Sequence, residues 1–430
     1  MSAIVGALAC QRNSFLKTFN TKVISSFEFV PPPTSKEKQS KSKSKTKEFG
    51  VELEDTILFP EGGGQPFDKG TITILSNNKV IEVKSVLREN LKAIHIVNEL
   101  IDPGVEVTVN LDWKRRIDHM QQHTGQHLLS AVFDTYGLET LSWNMGEDIN
   151  YIELPKKIED ELVKDVQDKV NSLILEGVPI SVVTPDQHGH EVDISHLPDD
   201  YDASQGIIRI VKIGELDANP CCGTHLTSTA QIQAISLLHQ SPIRSGNSRL
   251  FFICGLRVAN CLSNEHKILK NVSTNQLSCS IEDVEEKVES LKGNFRKANS
   301  TVSSLLKELA VLEAKKILTN FEKGGSVAYV YHPDLPDYLT AVNKELLNLT
   351  KGNDEIDLSK KTLVLLSGAA PNGGMVKISG PQAESLQGEL KTKLSNLKGG
   401  GKGANFQGKI TKFEKGELDS VIKYLESVSI

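Results

Sequence analysis

RIDHMQQHTGQHLLS, residues 116–130, carries two patterns at once. Ile117, Leu128 and Leu129, continued by Ala131 and Val132, give the broad apolar coverage of a helix beginning near Leu111. Beside that face, His119, His123 and His127 recur every four residues, so their imidazoles stack on one stripe and two of them can reach the same ion. Helical spacing alone permits His119 with His123 or His123 with His127. Position 124 is threonine, so the H-E-x-x-H pattern of zinc proteases, whose glutamate is the general base, is missing.

A second cluster lies nearly a hundred residues on, in NPCCGTH (219–225). Pro220 and Gly223 bracket a turn in which Cys221 or Cys222 can approach the same ion as His225. A thiolate with imidazoles suits zinc, an ion of borderline softness that favours tetrahedral sites. Upstream of the helix, VELEDTILFP (51–60), GTITILSN (70–77) and KVIEVKSVL (79–87) read as strands between turn signals. PEGGGQPFDKG (60–70) joins the first two. Its three adjacent glycines either let backbone amides approach a ligand or make a tight strand connection.

Downstream, ELVKDVQDKVNSLILEG (161–177) is an amphipathic helix stopped by Gly177, and GIIRIVKI (206–213) and RLFFICGLRV (249–258) read as strands. Val284, Val288, Leu291, Phe295, Ala298, Val302, Leu305, Leu309 and Leu312 then alternate spacings of four and three, the seam of a coiled coil. That helix forms either an intramolecular hairpin with the weaker apolar segment near 258–272 or a homodimer through 284–312. After GGS (324–326) strands and helices alternate again, and KGGGKGANFQGK (398–409) precedes a last helix. The fold class is α+β. A β-rich subdomain spans 1–110, a zinc-binding domain 111–258, a helical linker 259–322 and a small α/β domain 323–430. The lysine-rich PTSKEKQSKSKSKTKE (33–48) has nothing apolar to bury and reads as a disordered insertion.

Composition narrows the function. The formal net charge is −6, which argues against a wholly basic nucleic-acid binder while leaving room for a local RNA surface. No run approaches the roughly 20 apolar residues of a membrane span, and six cysteines in 430 residues do not make a disulfide framework. A cytoplasmic protein with reduced thiols is expected. Arg115, Arg116, Lys212, Arg244, Arg249 and the lysines of 399–415 are candidate phosphate contacts. An aromatic content of 5% favours recognition of RNA by backbone shape over extensive base stacking.

PEGGGQPFDKG, RIDHMQQHTGQHLLS and NPCCGTH, in that order, resemble the free-standing alanyl-tRNA editing proteins called AlaX, related to the editing domain of alanyl-tRNA synthetase. The resemblance covers nearly the whole chain and is weaker at the C-terminal glycine-rich segment. It implies His123, His127, Cys221 and His225 as zinc ligands, with His119 and Cys222 as neighbours. It also implies hydrolysis of mischarged alanine tRNA, chiefly the seryl and secondarily the glycyl form. Gln65 is then a candidate contact to the terminal adenosine or the ester, and Thr124 and Thr224 to a seryl hydroxyl. Gln65 and Thr124 are the candidate catalytic residues. The paired HxxxH and CxxxH motifs are shared with an editing domain of threonyl-tRNA synthetases, so a different tRNA stays open. So does a zinc-stabilised tRNA-binding or scaffold protein without catalysis.

Overall fold

The computed structural model describes residues 2–30, 47–184, 207–351 and 356–429. Most of the lysine-rich insertion lies outside them, and its end does not: Glu48 opens a strand. Two compact units divide the chain, Met1–Leu269 and Lys270–Ile430.

The first unit begins with α1 (Ala9–Arg12), followed by β1 (Thr18–Phe29), β2 (Glu48–Leu53), β3 (Gly70–Ile74), β4 (Lys79–Val83), β5 (Ser85–Glu89), β6 (Lys92–Val97) and β7 (Glu106–Leu111). These seven strands form one antiparallel sheet, ordered β4-β3-β7-β1-β2-β6-β5. The long β1 pairs β7 with its first half and β2 with its second, and the register slips between Val23 and Ser25 where it changes partner. Val23, Val51, Ile72, Val86, Val107 and Val109 fill the core. The strand expected over 51–60 ends at Leu53. Beyond it the backbone turns its hydrogen bonds to other partners: Thr56 O accepts from Cys10 N at 3.2 Å, and Phe59 N donates to Asp68 Oδ2 at 2.7 Å.

Then come α2 (Trp113–Asp134), β8 (Ser142–Asn144), β9 (Asn150–Leu154), α3 (Asp160–Glu176), β10 (Ile180–Val183), β11 (Ile210–Ile213), β12 (Asp217–Pro220), β13 (Ile235–Pro242), β14 (Ser248–Cys254) and α4 (Leu256–Asn271). Asp112 caps α2 by accepting from Arg115 N at 3.2 Å. Gly177, at φ 69°, ends α3 in the left-handed conformation expected of a helix-stopping glycine. Leu128, Leu129, Val132 and Phe133 of α2 pack with Val166 and Val170 of α3 and Leu250 and Phe252 of β14 in one core. Each such burial is worth about 1.5–3 kcal/mol. Two corrections apply. The strand expected over 206–213 is paired only over Ile210–Ile213. The strand expected over 249–258 stops at Cys254, because Gly255 at φ 61° turns the chain and Leu256 opens α4.

The second unit holds α5 (Val284–Glu322), β15 (Val327–His332), α6 (Pro336–Thr350), β16 (Thr362–Gly368), β17 (Gly374–Ser379), α7 (Ala383–Lys393), β18 (Leu397–Lys402), β19 (Asn405–Ile410) and α8 (Glu417–Val428). Its sheet runs β15-β16-β17-β19-β18, and the parallel pair β15–β16 is joined through α6. The glycine-rich 398–409 folds as the β18–β19 hairpin. On α5 the last turns, with Ala310, Ala314, Ile317 and Phe321, pack against Leu339, Val342 and Leu346 of α6. Further toward its N-terminus, Val288, Leu291, Phe295, Val302, Leu305 and Leu309 are 48–68% exposed. No helix among the described residues is long and apolar enough to cross a membrane.

Candidate metal centre

One turn of α2 separates His123 from His127, and both imidazoles point toward the end of β12. Pairing of β12 with β11 brings Cys221 N to Arg209 O at 2.9 Å, after which the chain turns tightly through Gly223 to His225. Cys221 Sγ thereby lies 3.4 Å from His123 Nε2 and 3.2 Å from His225 Nε2. One ligand atom from each of His123, His127, Cys221 and His225 lies within 4.8 Å of the others. A tetrahedral ion with bonds of about 2.3 Å to sulfur and about 2.0 Å to nitrogen sets its sulfur and nitrogen ligands about 3.5 Å apart. The donor set and its spacing fit such an ion.

His119 and Cys222 fall outside this group. Burial pushes the His119 imidazole down to about 3, and its Nδ1 has no hydrogen-bond partner. Cys222 turns toward the glycine-rich loop, where a Cβ on Gly63 would come within 3.0 Å of its sulfur. Burial and the neighbouring Cys221 thiolate push its thiol up to about 11.

Charge inside the cluster is arranged for a thiolate. Burial alone would raise the Cys221 thiol, but His123, His225 and His127 outweigh it and hold the thiol well below its usual value. Burial likewise disfavours a charged His127, yet the Cys221 thiolate and Asp217 carry it up to about 9. His225 goes the other way, to about 3, because burial exceeds the pull of Cys221.

Around the four residues lies a frame that fixes their orientation. Gln65 is 1% exposed and uses both ends of its amide: Oε1 accepts from His123 Nδ1 at 2.9 Å and from Thr224 N at 3.0 Å, and Nε2 donates to Thr224 Oγ1 at 2.9 Å. Thr124 Oγ1 lies 3.3 Å from His225 Nδ1 and accepts from Leu226 N at 3.2 Å. Gly223 must be glycine here, since a Cβ would sit 2.3 Å from His123 Cε1 and 2.9 Å from Gln65 Oε1. Gln65, Thr124 and Thr224 are therefore all spent on the frame in this arrangement.

Four further contributors lie outside the sequence motifs. Asp217 Oδ2 is 3.8 Å from His127 Nδ1 and is a buried carboxylate oxygen with no hydrogen bond. Arg209, buried, donates to Gly223 O at 2.8 Å and to Gln11 O at 2.9 Å, pinning the CCGTH turn; its signal was an arginine flanked on both sides by isoleucine inside GIIRIVKI. Ser14 Oγ donates to His225 O at 2.8 Å. Trp143 lies over His123 with ring centroids 4.8 Å apart, and its indole is 2.8 Å from where a Gly64 Cβ would stand. One expected phosphate contact is corrected. Arg116 is fully buried, ion-paired to Asp68 and donating to Ser14 O at 2.8 Å, so it ties the glycine-rich loop to α2.

The centre opens into a cavity of about 630 Å³, lined among others by Gly63, Gln126, Ser130, Thr140 and Trp143. Two histidines on a helix face a Cys-x-x-x-His turn beside a glycine-rich loop, a donor set that fits a metal ion. Residues 208–251 match the family described as the threonyl and alanyl tRNA synthetase second additional domain. The alaX protein of Saccharomyces cerevisiae is 38% identical, over 98% of this chain and 96% of its own. The mouse (Mus musculus) alanyl-tRNA editing protein Aarsd1 is 34% identical over 95% of both chains. The alanyl-tRNA editing protein AlaX-L of Pyrococcus horikoshii is 30% identical over 66% of this chain and 70% of its own. The chain belongs to the alanyl-tRNA editing protein family.

Proposed function

We propose that the protein is a trans-acting aminoacyl-tRNA deacylase that clears mischarged alanine tRNA, chiefly Ser-tRNA(Ala) and also Gly-tRNA(Ala), with zinc held by His123, His127, Cys221 and His225. The observation that carries this reading is the convergence of these four ligand atoms within 4.8 Å of one another beside an open cavity. Zinc bound there supplies Lewis-acid polarisation for ester hydrolysis.

The chain's own groups do the positioning. Gln65 holds the proton on His123 Nδ1 and leaves Nε2 free to ligate. Thr124 does the same for His225, accepting from its Nδ1. Trp143 shields one face of His123 and walls the cavity, whose volume falls in the usual range for small-molecule sites, about 300–1,000 Å³.

The need for such an enzyme is physical. A pocket that selects alanine cannot strongly exclude glycine or a hydroxyl-bearing analogue, whereas a second site can demand the hydroxyl through buried polar groups. Lysines of the C-terminal unit, Lys398, Lys402 and Lys409 on the β18–β19 hairpin among them, are the proposed tRNA contacts, and a second copy of the chain is the proposed cover for the exposed seam of α5. A cytoplasmic setting is consistent with the substrate. The test is to incubate metal-loaded protein with seryl-, glycyl- and alanyl-tRNA: release of serine with alanyl-tRNA left intact supports the reading, and three intact substrates refute it.

A further inference from the structure

The four-stranded sheet β13-β14-β9-β8 buries one face and leaves the other outside the core. Leu250, Phe252, Ile152 and Leu154 point inward. Strand alternation sends Arg249, Phe251, Tyr151 and Glu153 the other way. On that outer face three rings form a continuous row across three strands. His239 stacks on Phe251, with centroids 4.4 Å apart and planes at 16°. Phe251 meets Tyr151 edge-on at 5.8 Å, and the Arg249 guanidinium lies 4.4 Å over the Tyr151 ring. The irregularity in β13 between Leu237 and Gln240 falls where His239 joins the row. None of the three rings belongs to a hydrophobic core cluster among the described residues.

The position of the row relates it to the metal centre. β8 is the edge strand, and its Trp143 faces His123. The flanking Ser142 and Asn144 are exposed, and Asn144 stands directly opposite Tyr151 in the β8–β9 register. The ring row therefore begins one strand, about 4.8 Å, beyond the edge that walls the cavity. Exposed Arg244, Lys156 and Lys157 lie toward the end of the sheet where β9 leaves and the β13–β14 turn closes. On the strands of this face Glu153 is the carboxylate among the described residues, and it is engaged by Ser142 and Asn247; exposed Glu147 and Asp148 lie at the other end, in the β8–β9 connection.

We infer that this face is a stacking platform for an unpaired nucleobase of the tRNA acceptor end, which passes over β8 as the terminal aminoacyl adenosine enters the cavity. The inference rests on the deacylase reading above. Flat rings bordered by cations are the chemistry of single-stranded RNA binding, because every base has a π face to stack and a phosphate to neutralise. An aliphatic face without cations would have pointed to a protein partner instead. The low overall aromatic content conceals the feature, since three rings suffice when the sheet gathers them.

The test uses wild-type protein and tRNA carrying 5-iodocytidine at the two positions before the terminal adenosine. Near-ultraviolet irradiation should crosslink these bases to Tyr151, Phe251 or His239, and a crosslink mapped only to other parts of the chain would overturn the platform. Kinetics supply the second arm. Tyr151→Leu and Phe251→Leu keep apolar bulk but lose the flat face, and each should raise KM for Ser-tRNA about tenfold with kcat within about twofold. Tyr151→Phe should retain the wild-type KM. Unchanged KM in both leucine variants would sink the platform while leaving the deacylase intact; a wild-type protein inert on every charged tRNA would sink the deacylase reading, and the crosslink would still report whether RNA lies on this face.

Discussion

Gln65 Oε1 accepts a hydrogen bond from His123 Nδ1 at 2.9 Å, a contact that joins the glycine-rich loop directly to a candidate metal ligand. Because Oε1 also accepts from Thr224 N and the amide nitrogen donates to Thr224 Oγ1, the amide cannot flip without breaking its bonds. The ring proton is thereby confined to Nδ1. Orienting partners of this kind typically contribute 10–100-fold in metal affinity. Gln65→Ala should therefore weaken zinc binding by about that factor while the protein stays folded. Titration against a competing chelator checks it, and an unchanged affinity would return Gln65 to a purely substrate-facing role.

The two adjacent cysteines make opposite predictions. Cys221 Sγ is 3.2–3.4 Å from two imidazole nitrogens, whereas Cys222 turns to Gly63. Cys221→Ala should empty the site and abolish deacylation together, since the remaining three imidazoles lose their only anionic partner among the ligands. Cys222→Ala should retain both. Metal content by elemental analysis on the two purified variants decides the assignment, and full occupancy in the first with loss in the second would reverse it.

Much of the centre was legible because its signals are local. Histidine spacing on α2 and the CCGTH turn can be read from a few residues each. What hid was supplied by elements distant in sequence. Ser14 and Gln11 reach the turn from the N-terminus, at separations of 211 residues, and nothing in their own neighbourhood marks them. Arg116 misled for the converse reason: a basic pair at 115–116 resembles a phosphate contact until Asp68, 48 residues away, is seen to neutralise it. Strand ends at Leu53 and Cys254 were overrun because apolar residues continue past them, and burial does not require pairing. Among the fold features, the helices with clear periodicity, α3 above all, were read nearly to the residue.

Acid should destabilise the first unit through His95. This residue is fully buried on β6, its Nδ1 donating to Val51 O at 3.0 Å and its Nε2 2.8 Å from Thr56 Oγ1. Burial pushes the imidazole down to about 4 from its ordinary value of 6.5. As pH falls through 6.5 the unfolded chain takes up a proton that the folded chain refuses until about 4. Stability present above 6.5 is therefore lost progressively between those values, by about 3 kcal/mol for this group. His119 acts with the same sign. Thermal denaturation of metal-loaded protein across pH 4–7 should show a shallower acid limb in His95→Gln than in wild type, and parallel limbs would exclude His95 as the source.

The seam of α5 carries the last prediction. Phe295 is 68% exposed and Leu305 52%, yet both sit on a four-three repeat that continues from Val284 to Leu312. So regular an apolar stripe, left open over several turns, is what a second helix covers in a coiled coil. If two copies bury it together, Phe295→Glu with Leu305→Glu removes four large side chains from the interface. At about 1.5 kcal/mol each the dissociation constant should rise by roughly four decades, enough to leave the variant monomeric at micromolar concentrations where wild type is dimeric. Sedimentation velocity over a dilution series reads this directly. The metal centre lies in the other unit, so zinc content should not change. A wild type that sediments as a monomer at every concentration would favour the alternative of an intramolecular hairpin, in which case the same double substitution should lower the melting temperature and leave the mass unaltered.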